Sequence, residues 1–313
     1  MKSNKVVTAK SKSIWKDKNS WHLLLLCIPG LIGYLLFNYV PMISAVVIPF
    51  KEYKFSKGIW GSEWIGLKNF SWIMSSASLQ RALRNTLLYG LFFMFFTQIV
   101  NAGLAILLYE VRSRRALKIF QTTFSFPNFM SYVIVGYISY AVLAPSNGFM
   151  NSIITALGGS RIDVYSKPAV WPLILVIVNT WKSCGMGSLM YFANLMGIDS
   201  ALFEAAEIDG ASRWQRIRYI SIPHLLTLMC IYLIMGAKNL IGGDFDLFYV
   251  IPKNIGLLYP TTDILDTYVY RALAEGTYAM GATVGILQSV VGLILVVAAN
   301  VAVKKISPEK SMF

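Results

Sequence analysis

The chain has 313 residues, of which 56% are hydrophobic and only 14% are charged, and its formal net charge is +13. Soluble domains usually carry about 25% charged residues, so this excess of apolar residues excludes an ordinary soluble domain and indicates a protein solvated by the bilayer. The basic residues occur in short blocks between apolar runs, without the basic stripe and interleaved aromatic residues typical of nucleic-acid binding. No nucleic-acid partner is therefore expected.

In chain order, six apolar segments are long enough to cross a bilayer, which takes about 20 residues in a helix. The predicted spans are 23–48, 85–109, 124–144, 170–196, 220–241 and 280–303. The first is too long for a signal peptide and lacks a cleavage site, so we expect a retained helix, with a kink or an interfacial second part at Pro29 and Pro41. The sequence therefore predicts an all-α, polytopic membrane protein with about six transmembrane helices.

Lysine and arginine residues cluster in four segments that an even number of spans places on one side of the membrane. These clusters occupy the N-terminal tail, the loops after the second and fourth spans, and the C-terminal tail. Positively charged segments stay in the cytoplasm, so both termini are expected there. The predicted organisation is a basic cytoplasmic tail at residues 1–21, one transmembrane domain at 22–304 and a cytoplasmic tail at 305–313.

The sequence lacks the clusters of reactive side chains that enzymes and metal sites need. Cys27, Cys184 and Cys230 each lie inside an apolar run, and no pair of them has metal-ligand spacing. His22 and His224 lie at membrane boundaries without acidic neighbours. We therefore expect no metal site and no catalytic residues, which argues against a membrane-embedded enzyme such as a lipid-modifying transferase.

The loop between the fourth and fifth predicted spans, residues 200–223, has the pattern of two helices joined by a glycine. Residues 201–208 are rich in helix formers, and Gly210 follows where a helix end favours positive φ. Ser212, followed three residues later by glutamine, forms a capping-box pattern, and Pro223 stands near the start of the next span. Such a helix pair is either an ordinary solvated loop or a rigid element that fits a groove on a partner protein.

This loop resembles the EAA motif of binding-protein-dependent ABC importer permeases. The motif reads Glu-Ala-Ala, three residues, Gly, nine residues, Ile, one residue and Leu-Pro, and residues 204–223 match it in register except that Ile222 replaces the leucine. The resemblance implies a type I ABC importer permease fold in which this loop docks onto a cytoplasmic ATPase. The residues to which it assigns the coupling role are Glu204, Ala205, Ala206, Asp209, Gly210, Arg213, Ile220, Ile222 and Pro223.

Other segments are similar to those of permeases that import sugars. They are residues 37–41, 66–70, 84–86 and 262–271. The last is similar to the branch that handles oligosaccharides and polysaccharide fragments. This likeness to maltose-type and lipoprotein-B-type sugar permeases implies that the substrate is a carbohydrate, in particular an oligosaccharide.

The resemblance also implies that several proteins share the work of transport. A second homologous permease would complete the path, two cytoplasmic ATPase subunits would hydrolyse ATP, and an extracytoplasmic solute-binding protein would deliver the carbohydrate. The chain contains no G-x-x-x-x-G-K-[ST] loop, so ATP and magnesium are expected on the ATPase subunits and no cofactor on this chain. The implied location is the bacterial cytoplasmic membrane.

Polar residues inside predicted spans are costly in a bilayer and are candidates for substrate contact. Lys182 lies near the middle of the fourth span and shares a helix face with Asn179. It is expected either to contact the saccharide, or to pair with a neighbouring helix or line a watery cavity. Gln98 and Asn101 share a face of the second span with Ala105, a pattern more typical of helix contact. The candidate substrate-path residues are Asn179, Trp181, Lys182, Tyr191, Asn194, Asp244 and Asp246.

Two other classes of transporter stay open on the sequence. An ABC permease for amino acids, peptides or metal ions would carry the same coupling loop, and only the sugar-type segments argue against it. A secondary transporter driven by an ion gradient often shows inverted repeats with broken helices at matching positions. No internal repeat is found in this sequence.

Overall fold

The structure, a computed structural model, describes residues 18–306, and helices form most of it. Most of the predicted tails at 1–21 and 305–313 lies outside these residues. The helices are α1 (Lys18–Tyr34), α2 (Val40–Val47), α3 (Gly58–Gly61), α4 (Lys68–Ser75), α5 (Ala77–Tyr109), α6 (Arg114–Ser125), α7 (Tyr132–Leu143), α8 (Phe149–Ala156), α9 (Trp171–Leu195), α10 (Ser200–Ile208), α11 (Arg213–Arg216), α12 (Ile222–Gly236), α13 (Phe245–Val250), α14 (Tyr259–Thr262), α15 (Leu265–Ala274) and α16 (Tyr278–Ile306). Within the described residues one small sheet pairs β1 (Lys51–Glu52) antiparallel with β2 (Glu63–Trp64).

Within residues 18–306, five continuous helical runs are long and apolar enough to cross a membrane, and the number is six if two helices that meet at a bend are counted together as one span. The continuous runs are Leu24–Phe50, Ala77–Tyr109, Pro168–Leu195, Arg213–Gly236 and Tyr278–Val301. Each of them overlaps a predicted span, so the all-α, polytopic architecture is confirmed. Many large apolar side chains on these helices are exposed, as expected where hydrocarbon and not water is the solvent.

The third predicted span, 124–144, is corrected by the structure, because it is not one straight helix. The run Arg114–Phe129 and the helix Tyr132–Leu143 meet at an angle of 99°. Pro127 lies in a 3₁₀ turn at the bend, and the hydroxyl of Ser131 accepts a hydrogen bond of 3.4 Å from the N–H three residues further on. The apolar composition indicated a single span, whereas a proline and an N-capping serine divide it into two helices.

Two single-turn π-helices lie just before prolines in membrane-spanning runs. Leu35–Tyr39 precedes Pro41, and Ile217–Ser221 precedes Pro223. Such wide turns occur as local bulges inside α-helices, and in both places the chain continues as one helical run. The fifth span therefore begins at Arg213, and the second helix of the predicted surface pair is the start of that span and not a separate helix.

Clusters of buried side chains hold both ends of α9. At the end that leads to α10, Tyr191 and Leu195 pack with Leu225 and with small residues of α5. At the other end, Trp171 and Leu247 are fully buried in a second cluster. Between these clusters α9 packs along α5, and the polar residues in the middle of α9 lie in this region.

The start of α5 is fastened to the segment between α14 and α15. The Asn85 side-chain amide donates to the backbone carbonyl of Asp263 (2.9 Å), and the Thr86 hydroxyl accepts from the Leu265 N–H (2.9 Å). Two of the segments that resemble sugar permeases are therefore partners in the fold. This contact lies at the end of the bundle opposite α10.

A buried ion pair fixes α15 in the same region. The Arg271 guanidinium donates to both carboxylate oxygens of Asp263, each at 2.7 Å, and lies over the ring of Tyr259 at 4.1 Å. The Thr267 hydroxyl donates to the same carboxylate (2.8 Å). The Asp263 side chain is 0% exposed and that of Arg271 is 16% exposed, so these contacts, and not water, compensate the two charges.

Candidate coupling loop and transport cavity

The turn between α10 and α11 is closed by backbone hydrogen bonds. Gly210 has a φ of +75°, the left-handed conformation that favours glycine. The N–H of Ala211 donates to the carbonyl of Ala206 (2.9 Å), and the N–H of Gly210 donates to that of Glu207 (3.1 Å), the pattern of a Schellman helix end. The predicted glycine turn is confirmed.

A reciprocal capping box starts α11. The Gln215 N–H donates to the Ser212 hydroxyl (3.3 Å), and the Ser212 N–H donates to the Gln215 side-chain oxygen (2.6 Å). Across the turn, Arg216 and Glu207 form an ion pair at 3.4 Å. Together with the glycine turn, these contacts make the loop a defined helix–turn–helix element and not a flexible connection.

The outward face of this element is exposed and partly apolar. Ile208 is 87% exposed and Trp214 is 65% exposed. Large apolar side chains presented by one rigid element are typical of a surface that contacts another protein. Of the predicted coupling residues, Ala206 and Ile220 are half-buried, whereas the exposed ones are Glu204, Ala205, Asp209, Gly210, Arg213, Ile222 and Pro223.

Both helices of the element contact the end of α5. The ring of Phe203, on α10, lies 5.8 Å from the ring of Tyr109. Arg213, on α11, forms an ion pair with Glu110 (Nε–Oε2 3.3 Å). Because Tyr109 is the last residue of α5 and Glu110 is its C-cap, a displacement of the loop acts directly on this helix.

A cavity of about 600 Å³ lies between α5, α9 and the segment that joins α12 to α13. Small-molecule sites commonly have volumes of roughly 300–1,000 Å³. The polar lining residues are Thr86, Thr97, Gln98, Asn179, Ser183, Asn239, Asp244 and Asp246, and the aromatic ones are Tyr89, Phe93, Phe245 and Phe248. Hydrogen-bonding groups beside aromatic faces suit a polyhydroxylated ligand.

Three of the predicted substrate-path residues line this cavity. Asn179 comes from the middle of α9, and Asp244 and Asp246 lie at the start of α13. Asp244 caps α13 by accepting a hydrogen bond from the Leu247 N–H (3.2 Å). The carboxylates are therefore placed by a helix start, while the amide is placed by a spanning helix.

The other four predicted residues lie outside the lining. Trp181 lines a separate apolar groove of about 250 Å³. Lys182 donates to a backbone carbonyl at the bend between α6 and α7. Tyr191 is fully buried, and within the part of the chain that the structure describes the side-chain oxygen of Asn194 has no hydrogen-bond partner. A substrate contact for these four stays a prediction.

Two tyrosines behind the lining hold polar groups of the cavity. The Tyr191 hydroxyl donates to the side-chain oxygen of Gln98 (2.5 Å), and the Tyr132 hydroxyl donates to the carboxylate of Asp244. Gln98, which the sequence pattern assigns to helix contact, therefore both contacts α9 and faces the cavity. Tyr132 is absent from the sequence-based prediction, because its role depends on the bend that carries it.

An aromatic cluster adjoins the cavity at α13 and α15. Phe245 stacks on Tyr249 with ring centroids 5.0 Å apart, and the ring of Tyr270 lies 5.1 Å and 4.9 Å from these two. The hydrogen bond that Tyr249 shares with Tyr270 raises the pKa of Tyr249. The four-residue spacing of Phe245 and Tyr249 is a signal that the sequence contains, whereas Tyr270 comes from another helix and gives none.

Within residues 18–306, no group of three or more histidine, cysteine or carboxylate side chains could hold a metal ion. The cavity offers hydrogen bonding and aromatic contact, and the loop at α10 and α11 offers a docking surface.

A family model described as the binding-protein-dependent transport system inner membrane component matches residues 101–307. Protein LplB of Bacillus subtilis (strain 168) is 33% identical, over 97% of this chain and 96% of its own length. The polygalacturonan/rhamnogalacturonan transport system permease protein YteP of the same organism is 34% identical, over 92% of this chain and 89% of its own length. The matched segments include the coupling loop.

Solved structures agree with these relatives. A chain from the crystal structure of a bacterial ABC transporter involved in the import of the acidic polysaccharide alginate superimposes with a TM-score of 0.85 and 31% sequence identity. The likeness covers 95% of this chain and 100% of that chain. A second structure, of the alginate transporter in complex with an alginate pentasaccharide-bound periplasmic protein, has a TM-score of 0.83 and 30% identity, over 95% and 99% of the two chains.

Proposed function

Because this chain belongs to the family of binding-protein-dependent transport system inner membrane components, we propose that it lines one part of a saccharide path and receives ATP-driven motion through α10 and α11. As a member of this family the chain is a multi-pass permease subunit of an ABC importer. It is a transport component and not an enzyme.

The substrate class rests on the relatives and on the cavity. The names of the related proteins refer to polygalacturonan and rhamnogalacturonan, to arabinooligosaccharides and to alginate, which are all saccharides. A cavity lined by amides, carboxylates and aromatic rings supports the same class. The proposed substrate is an oligosaccharide.

The proposed partners are a second homologous permease, two cytoplasmic ATPase subunits and an extracytoplasmic solute-binding protein. ATP and magnesium are expected on the ATPase subunits, since this chain carries no phosphate-binding loop. The positively charged segments at the α10 end of the bundle support a cytoplasmic position for that end and for both termini.

One observation supports the proposal most strongly. The exposed helix–turn–helix element is attached through Phe203 and Arg213 to the end of α5, and α5 also supplies Tyr89, Phe93 and Gln98 to the cavity. A single helix therefore connects the docking surface with the proposed path. This arrangement suits a subunit that converts the motion of a partner into a change of the cavity.

The test uses the assembled transporter in proteoliposomes, with the binding protein loaded in turn with alginate, polygalacturonan and arabinan oligosaccharides. Glu204→Ala removes an exposed carboxylate from the proposed docking surface. Gly210→Val places a β-branched residue in the left-handed region, which costs roughly 1–2 kcal/mol. Each variant is expected to reduce saccharide-stimulated ATP hydrolysis about tenfold. Glu275→Gln, which removes a carboxylate from the exposed C-cap of α15, is the matched control and should change little.

Two results would contradict the proposal. Uptake that needs an ion gradient and no ATP would indicate a secondary transporter. Stimulation by peptides or amino acids, with no response to any saccharide of the panel, would indicate an ABC permease of another substrate class.

A further inference from the structure

The bend in the third span is held by a lysine from the middle of α9. The Lys182 ammonium donates to the backbone carbonyl of Asn128 (3.0 Å) and lies over the ring of Tyr132 at 4.8 Å from its centroid. Carbonyl groups at the end of a helix are left without intrahelical partners and carry a partial negative charge, so a cation is stabilised there. Lys182 thus holds both the end of the first helix and the start of the second.

Close backbone packing fixes the position of the bend against α9. A Cβ atom placed on Gly185 would lie 1.9 Å from the carbonyl oxygen of Phe124, so only glycine allows this approach. Gly185 is buried, and it lies one helical turn from Lys182 on α9. The bend is therefore fixed against the middle of the spanning helix that also carries Asn179.

The first residue of α7 contacts a residue that lines the cavity. The hydroxyl of Tyr132 donates to the carboxylate of Asp244, whose other hydrogen bond comes from the Leu247 N–H. An ionised carboxylate has about four acceptor sites. Among the described residues, these two hydrogen bonds reach the Asp244 carboxylate, which leaves about two acceptor sites for a ligand in the cavity that Asp244 lines.

We infer that Tyr132 is a positioning residue for substrate recognition: it orients Asp244 so that the free acceptor sites of the carboxylate bind hydroxyl groups of the saccharide, and Lys182 positions Tyr132. This inference rests on the proposed function. Hydrogen bonds from hydroxyl groups to a carboxylate are stronger than neutral ones and depend on geometry, so a fixed carboxylate discriminates between sugars by the position of their hydroxyls.

The assignment gives Lys182 a role different from direct substrate contact. Its ammonium is already occupied by the Asn128 carbonyl and the Tyr132 ring, and it is not among the residues that line the cavity. A charge in the middle of a span is costly unless it has such partners. The sequence alternative in which Lys182 pairs with a neighbouring helix matches these contacts.

The experiment compares Tyr132→Phe with Tyr137→Phe in the assembled transporter with its ATPase subunits and binding protein. Tyr132→Phe removes only the hydroxyl and keeps the ring under Lys182. Tyr137 lies on the same helix, is 74% exposed and is absent from the cavity lining, which makes its phenylalanine variant the matched control. Proteoliposomes receive an equal mixture of an arabinan trisaccharide, an alginate trisaccharide and their monodeoxy analogues.

The readout is the ratio of each parent saccharide to its deoxy analogues among the accumulated sugars. The binding protein is the same in every sample, so a change in this ratio between variants comes from the permease. We expect Tyr132→Phe to reduce the preference at one hydroxyl position by roughly three- to tenfold, because the carboxylate keeps its hydrogen bond from the Leu247 N–H and loses only one of the two contacts that orient it. Asp244→Asn should reduce it further, and Tyr132→Phe should add nothing to Asp244→Asn.

A purely structural role predicts a different pattern. If Tyr132 only braced α7 against α13, Tyr132→Phe would lower the melting temperature while every hydroxyl preference stayed at the wild-type value, and this result would overturn the inference. Lys182→Met should shift the same preference in the same direction as Tyr132→Phe. Absence of every saccharide from the lumen in the wild type, with ATP and binding protein present, would instead overturn the proposed function and the inference with it.

Discussion

Replacing Arg271 with methionine tests the buried ion pair that anchors α15. The change keeps the apolar stem and removes the guanidinium that donates to both oxygens of Asp263 at 2.7 Å. The carboxylate of Asp263 is 0% exposed and would keep only the hydrogen bond from Thr267. Breaking a buried ion pair by removing one partner costs about 3–5 kcal/mol, because an uncompensated charge stays inside the protein.

This loss is large enough to measure on the purified chain in detergent. At about 2 °C per kcal/mol, the lower end of the range for larger domains, the melting temperature should fall by roughly 6–10 °C. Near-ultraviolet circular dichroism would follow the unfolding. Asp263→Asn combined with Arg271→Met should lose less than the sum of the two single changes, with a coupling of at least about 1 kcal/mol, since the two groups are in direct contact.

An exposed ion pair in the same chain gives the matched control. Lys57 and Glu63 lie 3.3 Å apart with side chains that are 50% and 65% exposed. Lys57→Met should cost less than about 1 kcal/mol, because water already compensates both charges. If Arg271→Met destabilised the chain no more than Lys57→Met, or if the two changes at Asp263 and Arg271 were additive, the assignment of a tightly coupled buried pair would be wrong.

Three further changes have defined outcomes by thermal unfolding. Tyr165→Phe should stabilise by about 1 kcal/mol, because the buried Tyr165 hydroxyl has no partner among residues 18–306. Burial raises the pKa of Tyr165 to about 12, so the wild type loses stability as pH rises from 10 towards 12 and the advantage of phenylalanine should widen there. Tyr191→Phe should cost about 1 kcal/mol through the lost bond to Gln98. Gly185→Ala should cost more than about 3 kcal/mol, because its Cβ would overlap the Phe124 carbonyl and force a backbone shift.

Local signals account for the parts of the fold that the sequence predicts correctly. Five spans are continuous apolar runs, and the coupling turn depends on Gly210 and on the Ser212 capping box, which are short-range patterns. Hydropathy does not predict the bend in the third span, because it averages over a window and does not register the angle between helices. Pro127 and Ser131 were the available signals, since a proline followed by an N-cap residue divides a helix.

The cavity is less accessible to sequence reasoning, because its residues come from distant segments. The chemistry of Asn179 and Asp244 indicates substrate contact, and both residues line the cavity. Tyr132 contacts Asp244 across 112 positions of the chain, and no periodicity encodes that contact. Lys182 is a second example of a contact that the sequence does not encode. Its position in mid-span predicts a functional or structural role, but only the structure identifies its partner, the Asn128 carbonyl.

The continuity of α5 gives the coupling loop and the cavity a common mechanical element. This helix has 33 residues without an internal proline, and at 1.5 Å per residue it is about 50 Å long. Gln98 faces the cavity about three turns, or about 18 Å, from Glu110, which pairs with Arg213 of the coupling loop. Because this stretch of α5 is continuous helix, we expect a displacement of the loop at Glu110 to move Gln98 as well. The position of Gln98 would then change relative to the carboxylate of Asp244, which is held by the start of α13 and by Tyr132.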